Sequence, residues 1–166
     1  INDTYCDSFS GLEHLEKLDL YDNNLVIFPN VSYFSQLYYI RARRNNIIYV
    51  PPSHVQNLTS LRTLYLNQNP ITCLVPDIFE LFQSLETIHL GSYKISKPLW
   101  QTFPCNFGIH FRSISVYSHN FTSFDCQPFL VYPALSALKL SYGFWTTFLS
   151  LRNASNLGSL TVSQQL

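Results

Sequence analysis

The sequence has little charge and no excess of either sign. Only 12% of its 166 residues are Asp, Glu, Lys or Arg, and ten acidic residues balance ten basic ones. A nucleic-acid binder ordinarily carries a marked basic surplus, so the composition speaks against a nucleic-acid partner. No apolar run approaches the roughly 18 residues of a membrane-spanning helix, so the chain is expected to hold no span. Glycine is scarce, at five residues, and neither a phosphate-cradling glycine-rich loop nor a G-x-S-x-G elbow is present. The five histidines (His14, His54, His89, His110, His119) lack metal-ligand spacing, and "GLEHLEKL" is not an H-E-x-x-H motif. The four cysteines, Cys6, Cys73, Cys105 and Cys126, form no C-x-x-C pair. These absences point away from a metal centre, a cofactor and an enzyme. The chain opens "INDTYCD", with neither an initiating Met nor a signal peptide, and reads as a mature or partial segment of something larger.

What is present is apolar, aromatic and repetitive. Apolar residues make up 46% of the chain, with 13 Phe and 11 Tyr, enough to bury a core. The acceptor pattern N-x-[ST] occurs five times, at Asn2, Asn30, Asn57, Asn120 and Asn153, which suits a glycosylated, extracellular protein. The neutral total conceals an asymmetry. Residues 1–22 hold six acids against the single base Lys17, and Arg41, Arg43 and Arg44 follow shortly after.

The pattern L-x-x-L-x-L-x-x-N-x-L organises nearly everything. In "LRTLYLNQNPI" it reads Leu61, Leu64, Leu66, Asn69, Ile71. Copies start at residues 15, 37, 61, 85, 111, 135 and 157, and an upstream apolar pair keeps step before five of the seven. Position nine is Asn23, Asn45 and Asn69 in the first three copies, then Tyr93, His119, Gly143 and Gln165, so the second half is expected to be less regular. In each copy the second and third apolar residues alternate inward on a short strand, and the residue between them points out. One copy cannot bury its apolar edge alone, and stacked copies share a continuous core. The asparagine turns its amide inward to satisfy backbone groups of the turn. Pro51, Pro52, Pro76 and Pro104 suit irregular returns rather than long helices.

This repeat resembles the typical, roughly 24-residue class of extracellular leucine-rich repeats, Toll-like receptor ectodomains in particular. The resemblance implies an α/β repeat solenoid, curved, with short parallel strands on the concave face and irregular returns on the convex one. It implies one solenoid of about seven repeats over residues 1–166. It also implies a non-catalytic extracellular recognition module, innate-immune or cell-surface, that binds a protein or a microbial or glycan ligand. A structural matrix or adhesion protein and a hormone-receptor ectodomain share the same surface logic and stay open. The Gly-x-Ile-Pro signature of plant-type repeats is missing, as are the cysteine cluster of an N-terminal cap and any C-terminal cap. An oligomeric partner or flanking domains are expected to cover the ends.

The outward strand positions form columns. One reads Asp19, Arg41, Tyr65, His89, Ser115, Lys139, Thr161, and its neighbour Tyr21, Arg43, Asn67, Gly91, Tyr117, Ser141, Ser163. Tyr and Arg dominate binding hot spots. The candidate ligand-binding residues are therefore Tyr21, Tyr39, Arg41, Arg43, Tyr65, Asn67, His89 and Tyr117, centred on Arg41, Arg43 and Tyr65. The competing expectation is a self-paired face, with Asp19 on Arg41, Asp22 on Arg44 and Arg43 over Tyr21. In such a solenoid Cys105 and Cys126 fall on adjacent turns and can form a disulfide. Cys6 and Cys73 lie too far apart to bond. Cys6 is expected to pair upstream of the chain and Cys73 to be a buried thiol, while "PLWQTFPCNF" forms a convex protrusion.

Overall fold

Each repeat supplies one strand, and each strand begins two residues after its repeat's first apolar residue. The computed structural model describes residues 11–72, 74–91, 110–117, 134–141 and 155–163. Within them run β1 (Lys17–Asp19), β2 (Tyr39–Arg41), β3 (Thr63–Tyr65), β4 (Thr87–Gly91), β5 (Ser113–Tyr117), β6 (Ala137–Ser141) and β7 (Ser159–Ser163). All pair in parallel, in chain order, into one seven-stranded sheet. The register never slips, because a one-residue shift would turn every leucine outward. Leu18, Ile40, Leu64, Ile88, Ile114, Leu138 and Leu160 lie in a single file. All but Leu160 are buried, as are Leu20, Ala42, Leu66, Leu90, Val116 and Leu140 two residues on.

The returns close the other side of the core. A single helical turn, α1 (Pro52–Val55), and a 3-10 helix at Pro76–Leu81 each start on proline, where the missing N–H forfeits no hydrogen bond. The pairs Val31 and Phe34, Val55 and Leu58, and Phe79 and Phe82 are all buried, which is the upstream apolar pair of the sequence seen in place. Leu12, from the first such pair, is 47% exposed. On the descending flank a second, thinner ladder joins neighbouring returns: Ile48 N–H donates to the Val26 carbonyl, Phe28 N–H to Tyr49 and Thr72 N–H to Ile48.

The turn between strand and return carries the asparagines. Asp22, Arg44 and Gln68 adopt left-handed backbone, at φ 57°, 58° and 60°. Each immediately precedes a position-nine asparagine, and the reversal brings that side chain inward. Asn45 Oδ1 accepts from Leu25 N–H at 3.1 Å, and its Nδ2 donates to Leu20 O at 2.8 Å and Ala42 O at 3.1 Å. Asn69 repeats the scheme one turn on: Oδ1 accepts from Ile47 N–H at 3.0 Å, and Nδ2 donates to Ala42 O at 2.8 Å and Leu66 O at 2.9 Å. Asn23 Nδ2 donates to Leu20 O and Tyr21 O. The later position-nine residues, and with them the expected loss of regularity, lie outside the described residues, as do "PLWQTFPCNF" and all four cysteines.

Replacing Asn69 with Ala removes the amide from Ile47 N–H and Leu66 O and one of the two amides on Ala42 O, and an unmet buried group costs roughly 1–3 kcal/mol. Asn69→Ala is expected to lower unfolding free energy by about 3 kcal/mol in urea titrations followed by circular dichroism, whereas Asn46→Ala, at an exposed neighbour, stays within about 0.5 kcal/mol. Equal effects of the two would show that the turn needs no amide.

Candidate functional site

The sheet sets Asp19, Arg41, Tyr65, His89, Ser115, Lys139 and Thr161 side by side as consecutive Cα partners. The central column of the sequence is therefore a real file of neighbours. Its middle is aromatic. The Tyr65 and His89 rings lie 4.4 Å apart at 32°, and Tyr39, from the adjacent column, approaches Tyr65 at 5.7 Å. Three strands thus present one tilted aromatic file, held by parallel strand spacing of about 4.8 Å. Burial pushes the Tyr39 hydroxyl pKa up, with the neighbouring Tyr65 acting the same way. Burial lowers the His89 pKa below its ordinary 6.5, and Lys139 and Arg43 push in the same direction.

The arginines are largely engaged. Arg41 Nη1 meets Asp19 Oδ2 at 3.1 Å while its guanidinium lies 4.1 Å from the Tyr21 ring centre. Arg44 Nη1 donates to Tyr21 Oη at 2.8 Å, and its Nε is 3.5 Å from Asp22 Oδ1. The Tyr21 hydroxyl and Asp22 together raise the Arg44 pKa. Both expected ion pairs are present. The expected contact of Arg43 with Tyr21 is not the one formed: Arg41 takes the Tyr21 face, and Arg43 Nε instead donates to Gln68 Oε1 at 2.7 Å. Among the described residues Arg43 is the concave arginine with no carboxylate partner. These pairs are solvent-exposed, and exposed pairs contribute little and yield readily to a competing ligand.

Asn67 differs from its sequence reading. Expected as an exposed contact residue, it is only 7% exposed, and its Oδ1 is buried with no hydrogen-bond partner among the described residues. An amide oxygen left so costs roughly 1–3 kcal/mol unless something donates to it. Gly91, its neighbour in the column, explains the tightness beyond. A Cβ at Gly91 would sit 2.6 Å from Tyr117 Cβ and 2.7 Å from Tyr117 O, so only glycine lets β5 come this close. A glycine inside a strand pattern is the one signal in the sequence that marked this approach. Tyr117 is half-buried and lies 5.6 Å from Lys139 Nζ.

Two glycan acceptors are described, and both lie on returns. Asn57 is exposed at φ 71° just after α1. Asn30 is half-buried, and its Oδ1 accepts from Ser32 N–H and Oγ–H. Asn2, Asn120, Asn153 and the Cys105–Cys126 pair lie outside the described residues. Among those described, no group of three His, Cys, Asp or Glu could hold a metal, and no helix is long and apolar enough to cross a membrane.

The lowered His89 pKa has a sign. Between the folded pKa and 6.5 the unfolded chain binds more protons, so the contribution of His89 is complete above 6.5 and is lost as pH falls below it. His89→Gln removes this dependence. Urea midpoints of the parent should fall more steeply than those of the variant between about pH 7.5 and 5, a window around the ordinary histidine pKa. Parallel profiles would show that His89 is no more buried in the native state than in the unfolded one.

Two family models, both described as leucine-rich repeat, match residues 14–34 and 35–95 without a gap between them. The rat (Rattus norvegicus) volume-regulated anion channel subunit LRRC8A is 35% identical over 75 residues, 43% of this chain and 9% of that protein. Rat leucine-rich repeat-containing G-protein coupled receptor 5 is 29% identical over 141 residues, 85% of this chain and 15% of the receptor. The chain thus spans a small part of these relatives. The crystal structure of a TLR13–ssRNA13 complex superposes with a TM-score of 0.78 over 95% of this chain and 23% of that one, at 24% identity, a likeness of fold. Matched repeats, an unbroken register and a shared solenoid lead to one conclusion: the chain is a leucine-rich-repeat protein, and its fold resembles the ectodomains of Toll-like receptors.

Proposed function

We propose that this chain is a non-catalytic recognition module of an extracellular receptor, and that the N-terminal half of its concave face binds a protein or a microbial or glycan ligand. The observation that carries the reading is the aromatic file Tyr39–Tyr65–His89, three rings presented by three successive strands. These rings offer a ligand rigid contact area at low entropic cost. Arg43, hydrogen-bonded among the described residues to Gln68, is the cation ready for exchange. Tyr21, Arg41 and Tyr117 form the borders of the patch. We extend the solenoid over residues 1–166 as about seven repeats of a larger protein, with flanking domains or a second copy covering its ends.

Receptor-like relatives and the acceptors at Asn2, Asn30, Asn57, Asn120 and Asn153 support an extracellular site of action, as they support a disulfide between Cys105 and Cys126. The solenoid fold supports a binding module. The RNA in the TLR13 structure belongs to that protein. Here the neutral total and the carboxylate-paired Arg41 and Arg44 favour a less charged ligand. A second reading, a matrix or adhesion protein, is favoured by the same closed Asp19–Arg41–Tyr21–Arg44–Asp22 circuit, which needs no ligand to be satisfied.

Two measurements test this. Titrated against arrays of microbial glycans and of cell-surface proteins, the chain should bind a ligand whose affinity falls more than about tenfold in the Arg43→Ala, Tyr65→Ala double variant with unchanged circular dichroism. Affinity preserved in that variant sinks the concave reading. Expressed through a eukaryotic secretory pathway, the chain should show glycan mass on Asn57 by peptide mass spectrometry. Bare acceptors and four free thiols would place it inside the cell.

A further inference from the structure

The row of residues just before the strands carries a charge pattern that the concave site does not use. Position two of successive repeats reads Glu16, Tyr38, Arg62, Glu86, Arg112, Ser136 and Gly158. The parallel ladder runs on through this row. Glu86 N–H donates to Arg62 O at 2.9 Å, Arg112 N–H to Glu86 O at 2.8 Å and Ser136 N–H to Arg112 O at 2.9 Å. Backbone pairing therefore holds Arg62, Glu86 and Arg112 one strand spacing apart, as cation, anion and cation along one edge of the sheet.

One carboxylate between two guanidiniums leaves the Arg62–Glu86–Arg112 cluster with one positive charge in excess, with Glu16 two strands away at the start of the row. Glu86 Oε1 stands 3.7 Å from Arg62 Nη1, and Glu86 Oε2 stands 3.4 Å from Arg112 Nε. Both are ion pairs, but neither is close enough for a good hydrogen bond, whose usual limit is about 3.2 Å. Among the described residues neither guanidinium has a hydrogen-bond partner, and their side chains are 65% and 67% exposed. Each guanidinium carries five N–H donors in a planar fork. Beside them opens a cleft of about 220 Å³, lined by Arg62, Gln83, Ser84, Glu86, His110, Arg112 and Ala134. Every one of these side chains except Glu86 and Ala134 can donate a hydrogen bond. At roughly 30 Å³ per water, the space holds about seven waters, room for one substituent of sugar size.

We propose that this edge cleft is a second binding site, separate from the concave face, that takes an oxyanion group (carboxylate, sulfate or phosphate ester) on a ligand of monosaccharide size. The two arginines bracket the anion from successive strands, Gln83 and Ser84 hydrogen-bond the body that carries it, and Glu86 sets the affinity by competing for both guanidiniums. That competition distinguishes the site from a column of surface ion pairs. Removing the carboxylate from a structural column loses two attractions and gains nothing, whereas here it releases two forks for the ligand. The forks suit planar and tetrahedral oxyanions alike.

The test is isothermal titration of the 166-residue chain, at low ionic strength, with glucuronic acid, glucose 6-sulfate, glucose 6-phosphate and uncharged glucose. At least one charged sugar should bind saturably while glucose does not, and the sugar that binds identifies the oxyanion. Arg62→Gln with Arg112→Gln should weaken that binding at least about fivefold, and Glu86→Gln should tighten it about two- to fivefold, the scale of one exposed charge interaction. Unchanged circular dichroism shows that each variant is folded. The proposal is overturned if no charged sugar saturates by about 50 mM, well beyond the millimolar range of a weak site. It is equally overturned if glucose binds as well as they do, if the double arginine variant binds unchanged, or if Glu86→Gln fails to tighten binding.

Discussion

A side-chain amide bonded to two repeats at once is what lets this chain coil as a solenoid. Where the backbone leaves a strand, its carbonyls and N–H groups turn into the core, and the neighbouring strand no longer meets them. Asn45 and Asn69 fill that gap by bridging their own repeat to the one before. Their aim depends on the left-handed residue in front of each, since only that reversal points the amide inward. Once the turn is satisfied, a return needs no long helix, and one helical turn from Pro52 and two 3-10 turns from Pro76 are enough to close these returns. The outward columns follow from the fixed register, and the candidate face follows from the columns.

Much of this was legible in the sequence because a single rule, repeated seven times, produces it. The period fixed the strands to within two residues, the inward files of leucine and isoleucine, and the neighbour relations of the outward columns. The pairings Asp19–Arg41 and Asp22–Arg44 came from the same arithmetic. What the columns could not show is how side chains lean within them. Arg41 and Arg43 are both long enough to reach Tyr21, and sequence spacing does not say which one stacks there and which turns to Gln68. The burial of Asn67 was hidden for a related reason. Strand alternation marks it as outward, and its actual exposure depends on how closely its neighbours pack. The edge row of Arg62, Glu86 and Arg112 was present in the repeat at position two, but it falls outside the strand alternation by which the face was read.

A neutral total conceals local charge in such a fold. Among the described residues Asp19 and Arg41, Asp22 and Arg44, and Glu86 with Arg62 and Arg112 stand one strand apart, so these charges offset one another over short distances. Two local features stand out beside these pairs: Arg43 next to an aromatic file, and the surplus cation of the Arg62–Glu86–Arg112 cluster. At physiological salt, screening leaves recognition at these places to groups that touch the ligand.

The hydrogen bonds of the seven-stranded sheet run from repeat to repeat, along the length of the coil rather than across it. Tension applied between the two ends therefore pulls each row of bonds open in turn instead of shearing all of them together. Because each repeat touches only its neighbours, the coil yields as a zip, paying out one repeat of chain at each step. A module of this kind tethered between a surface and a bound particle would lengthen in increments under load and shed force, while the repeats still stacked keep their outward columns in register.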